Sequence, residues 1–224
     1  MPFDSQYTGP TEWAEIPKSY SKKGLRILKP SAPDGLLNDP TIQEWNRSHD
    51  YMPYWAYLWP GSFLLAQAIA TRDWGADASA IELGCGLGLA GIVGLAAGLR
   101  VHFTDHDRAP LAFVEQSLVA NQFEPSRYGL SVLDWESPSS ERYDVILGAD
   151  LLYEQRLVPL VVNLIDRMLA AGGVALLAGP ERSATEAFPS QVQDRGFRVE
   201  RESIEAVDLE GRLVQGHLHT VRRL

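Results

Sequence analysis

Short, mostly apolar runs alternate with apolar stripes at helical spacing through most of this chain. The runs "SAIEL" (79–83), "RVHFTD" (100–105), "GLSVLDW" (129–135), "YDVILGADLLY" (143–153) and "GVALLAG" (173–179) have the length and texture of strands buried on both faces. Helical stretches separate them. Phe63, Leu64, Ala68 and Ile69 recur at helical spacing behind Pro60, which suits a first turn. Residues 89–97, "APLAFVEQSLVANQ" (109–122) and "RLVPLVVNLIDRMLA" (156–170) are three more, the last stopped by Gly172-Gly173. "FPSQVQDRGFRVERESI" reads as helix then strand, and "LVQGHLHTVRRL" as a final strand with no helix before it. Repeated βα units predict an α/β fold: a mostly parallel sheet with helices on both faces, closed by an antiparallel edge hairpin.

Residues 1–50 break this rhythm. They are rich in Pro, Ser and Asp, show little helical periodicity, and contain one short strand pattern, "GLRILKP". We divide the 224 residues into an N-terminal extension, 1–50, expected to pack near an acceptor site, and a main domain, 51–224. The net charge of −9 argues against nucleic acid as a partner, because no basic run exceeds the pairs Lys22-Lys23 and Arg222-Arg223. An acidic surface suits a basic partner such as a lysine-bearing protein, although solubility is the simpler cause. The single cysteine, Cys85, excludes an intrachain disulfide. His49, His102, His106, His217 and His219 show no metal-ligand spacing; His217 and His219 would share one face of a partly exposed strand. "MPFDSQYTGP" lacks the basic-then-apolar pattern of a secretory leader. The longest uncharged apolar run, 83–99, holds six glycines and falls short of a membrane span. We therefore expect a cytoplasmic protein with neither membrane nor metal.

Candidate chemistry gathers at the expected strand ends, where ligands of such sheets sit. "IELGCGLGLAG" (81–91) places a glycine loop between strand and helix. Gly86, Gly88 and Gly91 fit a dinucleotide fingerprint, with Asp105 about right for ribose hydroxyls. Glu82 tilts the choice: an acid there suits a ligand carrying an ammonium and would repel a pyrophosphate. Asp134 and Trp135, in "LDW", can hydrogen-bond an adenine amino group and cover its face. In "GADLLY", Asp150 and Tyr153 are three apart, so one turn would bring them to the same side.

In combination these elements resemble the family-16 methyltransferases, a group containing many seven-β-strand protein-lysine methyltransferases. The likeness runs from about residue 53 onward and includes "PYWAYLWPG". It implies a Rossmann-like, seven-stranded, S-adenosylmethionine (SAM)-dependent class I methyltransferase domain. Trp59, Gly84, Cys85, Gly86, Asp105, Trp135 and Ala149 would line the SAM site, joined by Glu82, Gly88, His106 and Asp134. Asp150 and Tyr153 would match a substrate-side D-x-x-Y motif, Asp150 orienting an acceptor amine and Tyr153 covering it. Trp55 and Tyr57 either extend that aromatic wall or pack the helix entry. "AGPERS" (178–183) and the first 50 residues are expected to shape the acceptor site. The expected substrate is a lysine amine of a protein, with a nicotinamide-like small amine as the alternative. An NAD oxidoreductase and a non-catalytic module are weaker readings, lacking a second catalytic domain and any need for the full acidic set respectively.

Overall fold

The computed structural model of the protein describes residues 7–75 and 77–224, leaving aside the side chain of residue 184. Most of the stretch read above for a leader, residues 1–6, lies outside the described residues. Two strands, β1 (Thr11–Ile16) and β2 (Leu25–Pro30), form an antiparallel hairpin of their own. The main sheet comprises β3 (Ser79–Leu83), β4 (Arg100–Asp105), β5 (Tyr128–Val132), β6 (Tyr143–Ala149), β7 (Leu169–Gly179), β8 (Phe197–Val207) and β9 (Leu213–Arg223). Their spatial order is β5-β4-β3-β6-β7-β9-β8. Pairs from β5 through to β7 are parallel, and β9 is antiparallel to both its neighbours. The C-terminal strand slots between β7 and β8, so the closing hairpin as a whole forms that edge. The chain builds outward from β3 to β5 and then returns to β6. The order therefore reverses between β3 and β6, and the crevice at their carboxyl ends is where this topology places a ligand.

Strand alternation explains the two cores. Ala80, Val101, Phe103, Val145, Leu147, Leu176 and Leu218 point to one face. They meet α2 (Pro60–Ala70), α3 (Leu89–Ala96) and α4 (Arg108–Ala120) there. Ile81, Leu83, Ile146, Ala175, Leu177 and Val221 point to the other, against α5 (Val158–Met168) and α6 (Phe188–Gln193). Each larger aliphatic or aromatic side chain taken from water contributes about 1.5–3 kcal/mol. That is why runs buried on both faces read as continuous apolar stretches.

Four details depart from the sequence pattern. β5 ends at Val132 and β6 at Ala149, so "LDW" and "DLLY" lie in the turns beyond. Gly172-Gly173 fall inside β7; α5 already ends at Met168, and β7 resumes pairing after a register shift opposite Tyr143–Val145. Residues 133–142 form no helix, which leaves polar groups on that side of β4 and β5. His102 Nδ1 and Nε2 lie 2.8 Å from Tyr143 Oη and Ser131 Oγ, so these groups satisfy one another. Finally, residues 1–50 contain a helix, α1 (Pro40–His49), started by Pro40 and by Asp39 Oδ1, which accepts from Thr41 N–H at 2.8 Å. Only Ile42 of α1 is buried, too thin a stripe to register as periodicity.

The extension is tied to the main sheet by polar bonds. Leu28 N–H donates to Ser117 Oγ of α4 (3.0 Å) and Arg26 N–H to Oδ1 of Asn121, which caps the end of that helix (2.9 Å). The buried Tyr20 hydroxyl donates to Val207 O and accepts from Val207 N–H at the end of β8.

Candidate active site

Two carboxylates organise the glycine loop between β3 and α3. Asp105, at the end of β4, is 9% exposed; its Oδ2 accepts from Gly86 N–H (2.8 Å) and its Oδ1 from Asp107 N–H (3.0 Å). Burial raises its carboxyl to a pKa of about 6 despite these bonds. A carboxylate can accept about four hydrogen bonds, so roughly half of its capacity is left for a ligand. Gly84, Gly86 and Gly88 take left-handed φ values of 57°, 50° and 78°, which curl the loop into α3. Cys85 is buried between them, its N–H on Thr104 O at 2.8 Å.

Glu82 is tied to the start of α3. It is 2% exposed, and its Oε2 accepts from Gly91 N–H (3.0 Å) in the first turn of α3. A Cβ at residue 91 would meet that oxygen at 2.4 Å and Phe103 at 2.2 Å, so only glycine fits there. Burial pushes the Glu82 carboxyl up to about 8. The group sits beneath the helix and fastens its start through Oε2. His106 is exposed beside Asp105. Asp134 is also exposed and turns one oxygen back onto Glu136 N–H (2.9 Å). Trp135 approaches the loop: its ring lies 3.4 Å from where a Gly84 side chain would begin.

The second half of the site forms around the start of α2. Asp150 follows Ala149 with φ 53°, and no helical turn joins it to Tyr153. Its Oδ2 accepts from Gly61 N–H (2.6 Å), so a residue 89 positions away caps a helix whose own N-cap, Trp59, has no capping side chain. Its Oδ1 faces Arg182 Nη2 at 3.4 Å, and its N–H donates to Ala178 O (2.8 Å). Burial raises the Asp150 carboxyl, while the Gly61 N–H and the guanidinium oppose the rise. Tyr153 instead meets Tyr54 edge-on at 5.6 Å; Tyr54 meets Trp59 at 5.9 Å, and Tyr57 meets Trp59 at 5.6 Å. Trp59 Nε1 donates to Tyr54 O (2.8 Å), which fixes the indole. Trp55 belongs to the core, against Phe113 and Tyr7. Asp150 and Tyr153 are thus linked through segment 54–61, Asp150 at Gly61 and Tyr153 at Tyr54, rather than through a turn of their own.

A family model described as lysine methyltransferase matches residues 55–194, which include both halves of this site. The chain belongs to that lysine methyltransferase family. It is 35% identical over 106 residues to the protein N-lysine methyltransferase METTL21A of Xenopus tropicalis, covering 46% of this chain and 49% of that protein. It is 29% identical over 125 residues to the EEF1A lysine methyltransferase 3 of Mus musculus, covering 54% and 53%. The matches thus span about half the length of the curated relatives. Among solved structures, magnesium protoporphyrin IX methyltransferase from Synechocystis PCC 6803 with bound SAH (S-adenosylhomocysteine) superposes with TM-score 0.58. The overlap covers 84% of this chain and 97% of that one at 13% identity, a likeness of fold.

Membership of the lysine methyltransferase family makes SAM the ligand against which the loop is judged, and the residues fit it. Asp105 is a buried acceptor with capacity to spare, as ribose hydroxyl donors require. The turn after β5 brings an aromatic face, Trp135, to the loop, as adenine requires. Sequence reading missed Tyr54, Gly61 and Arg182. Tyr54 lay within the quoted aromatic run and Arg182 within "AGPERS". Only tertiary contacts give them roles: α2 brings Gly61 to Asp150, the loop after β7 brings Arg182 to it, and Tyr54 meets Tyr153.

Proposed function

We propose that the protein transfers a methyl group from SAM to the side-chain amine of a lysine in a protein substrate. One observation carries the acceptor half. At the carboxyl end of β6, the carboxylate of Asp150 holds Gly61 N–H, two residues after Trp59, whose ring packs with Tyr54 and, through it, with Tyr153 as an exposed aromatic cluster (36%, 43% and 38% exposed). A carboxylate attracts an ammonium, and aromatic faces accept a cation or its methylated product. The cluster's exposure favours a polypeptide that presents its lysine from outside over a small amine enclosed under a lid. The curated relatives' names, which specify protein lysines, point the same way.

On the cofactor side, Gly84, Cys85, Gly86 and Gly88 would give close backbone approach. Asp105 would take the ribose, Asp134 and Trp135 the adenine, and Trp59, His106 and Ala149 the remaining walls, with Glu82 supporting from beneath. When bound, SAM supplies a methyl on a sulfonium; the amine nitrogen's N–C bond forms as the S–C bond breaks, leaving a neutral thioether. The protein's own task is alignment and exclusion of water, an effect worth up to ~7–11 kcal/mol. Asp150 aims the amine and does not itself take the proton, which leaves to water. Tyr153 is no base either, because burial pushes its phenol up to about 12 and keeps it protonated. Among the described residues no helix is long and apolar enough to cross a membrane, and we place the activity in the cytoplasm.

Incubation with methyl-tritiated SAM and an extract of the source cells, followed by size separation, tests this reading. Label is expected in one or a few protein bands. With Asp150→Asn, methyl transfer should fall far more than SAH affinity measured by calorimetry. Label confined to the low-mass filtrate would make the acceptor a small amine, and equal losses of transfer and affinity would move Asp150 to the cofactor side.

A further inference from the structure

Resting on that reading of Asp150, the acceptor side still contains an electrostatic difficulty. A lysine with its ordinary pKa of ~10.4 must lose a proton before it can attack, and an anion beside it opposes that loss. The loop after β7 addresses the difficulty. Arg182 reaches in from solvent, its side chain 38% exposed, and sets Nη2 3.4 Å from Oδ1 of a carboxylate that is itself only 9% exposed. The other oxygen, Oδ2, is held by the Gly61 N–H at 2.6 Å. Both oxygens therefore already face positive charge, one a guanidinium and the other a helix N-terminus.

We infer that Arg182 is a positioning residue that offsets the charge of Asp150. The carboxylate can then orient the acceptor ammonium without holding on to its proton. The proton passes to water, and the neutral nitrogen is left at the aromatic cluster. Other charged groups around the pair are accounted for. From β9, His219 is buried against Phe188 and driven down to about 4, so it stays neutral above that pH. His217, also on β9, lies 3.5 Å from Glu181, and Glu181 is bonded to Arg201 of β8 at 2.9 Å. From the turn beyond β6, Tyr153 remains a neutral phenol, and Glu154 is paired with Arg156. On the segment before α2, the Tyr57 hydroxyl is taken by Asp34 at 2.6 Å. Among these, Arg182 is the cation in contact with Asp150.

The test uses the full chain saturated with SAH and [15N]butylamine as a lysine side-chain probe. The bound amine's protonation is followed by its 15N shift from pH 6 to 11. In wild-type protein the bound amine should lose its proton at a lower pH than in Arg182→Gln, by about one pH unit. Arg182→Lys, which keeps the charge, should restore most of the difference. Calorimetric SAH affinity and the melting temperature establish that each variant is folded, and a side chain this exposed is expected to leave both near wild type. An unchanged midpoint in Arg182→Gln overturns the inference. So does tighter amine binding at every pH with no change in midpoint, because Arg182 would then be only a competitor for the carboxylate. Failure of the wild type to bind the amine overturns instead the acceptor-side reading beneath it.

Discussion

Gly61→Ala is the sharpest test of how the two halves of the site are joined. A Cβ built at residue 61 lies 2.5 Å from Asp150 Oδ2, 2.6 Å from Ala178 O and 2.7 Å from Asp150 N. Two of these three atoms are backbone, in β7 and the turn after β6, so no side-chain rotation relieves the clash. The start of α2 must lift away, and the 2.6 Å bond from Gly61 N–H to Asp150 goes with it. Loss of a hydrogen bond to a charged acceptor costs about 1.5–3 kcal/mol, and overpacking in a dense interior about 1–3. Alanine's better helix propensity returns at most about 1 kcal/mol. The net expectation is a destabilisation of about 2–4 kcal/mol, a fall in melting temperature of roughly 5–15 °C for a chain this size.

Urea and thermal unfolding measure this directly. Gly24→Ala is the control, since nothing lies within 4 Å of its Cβ and its φ is not left-handed. It should be neutral or slightly stabilising. Lifting α2 also displaces Tyr54 and Trp59, so Gly61→Ala should lose acceptor turnover and, through Trp59, SAH affinity as well. A stability within about 0.5 kcal/mol of wild type would refute the close approach, since ordinary surface substitutions fall in that range.

Three further outcomes follow from particular contacts. Trp135→Ala should weaken SAH binding with little change in melting temperature of the free protein; unchanged calorimetric affinity would remove Trp135 from the adenine site. Ser117→Ala strips the buried Leu28 N–H of its partner at 3.0 Å and should cost about 1–3 kcal/mol in urea unfolding, loosening the β1–β2 hairpin toward proteolysis. Glu82, raised from 4.5 to about 8, stabilises the fold while protonated; that stabilisation is complete below pH ~4.5 and is lost as pH rises toward 8. Asp105, raised to about 6, acts in the same sense over a lower window, so Glu82→Gln should flatten chiefly the part of the stability–pH curve between pH 6 and 8.

Much of the fold was legible because its strands are buried on both faces and its helices on one, which imposes strong and different periodicities. "SAIEL" and "RVHFTD" match β3 and β4 residue for residue. Legibility fell where burial was thin. α1 buries only Ile42, and β1 is exposed over most of its length. The missing helix after β5 was also invisible, because the polar turn "ESPSSER" carries no mark of what it leaves uncovered. His102, Tyr143 and Ser131 show the consequence only once three strands are aligned.

The candidate site divides along the same physical line. The places of Gly86, Gly88 and Asp105 could be read from spacing, because a loop entering a helix needs particular φ values and a strand end fixes where an acid lies. Roles that depend on distant segments could not. Glu82 could be placed before the loop, but its bond to Gly91 in the first turn of α3, where the absence of a side chain leaves room for it, could not be read from spacing. Asp150 is a similar case, a motif residue whose spacing to Tyr153 mattered less than a helix start 89 positions earlier. One carboxylate cannot cap a helix, face a guanidinium and bind an ammonium independently. On the proposed reading of Asp150, whatever fixes α2 and the loop carrying Arg182 would therefore also set the charge that the acceptor meets. On that logic, substitutions at Gly61 and Arg182 should couple strongly to Asp150→Asn in double-mutant cycles. Ser117→Ala, on α4 and in contact with the β1–β2 hairpin, should combine with it additively to within about 0.5 kcal/mol.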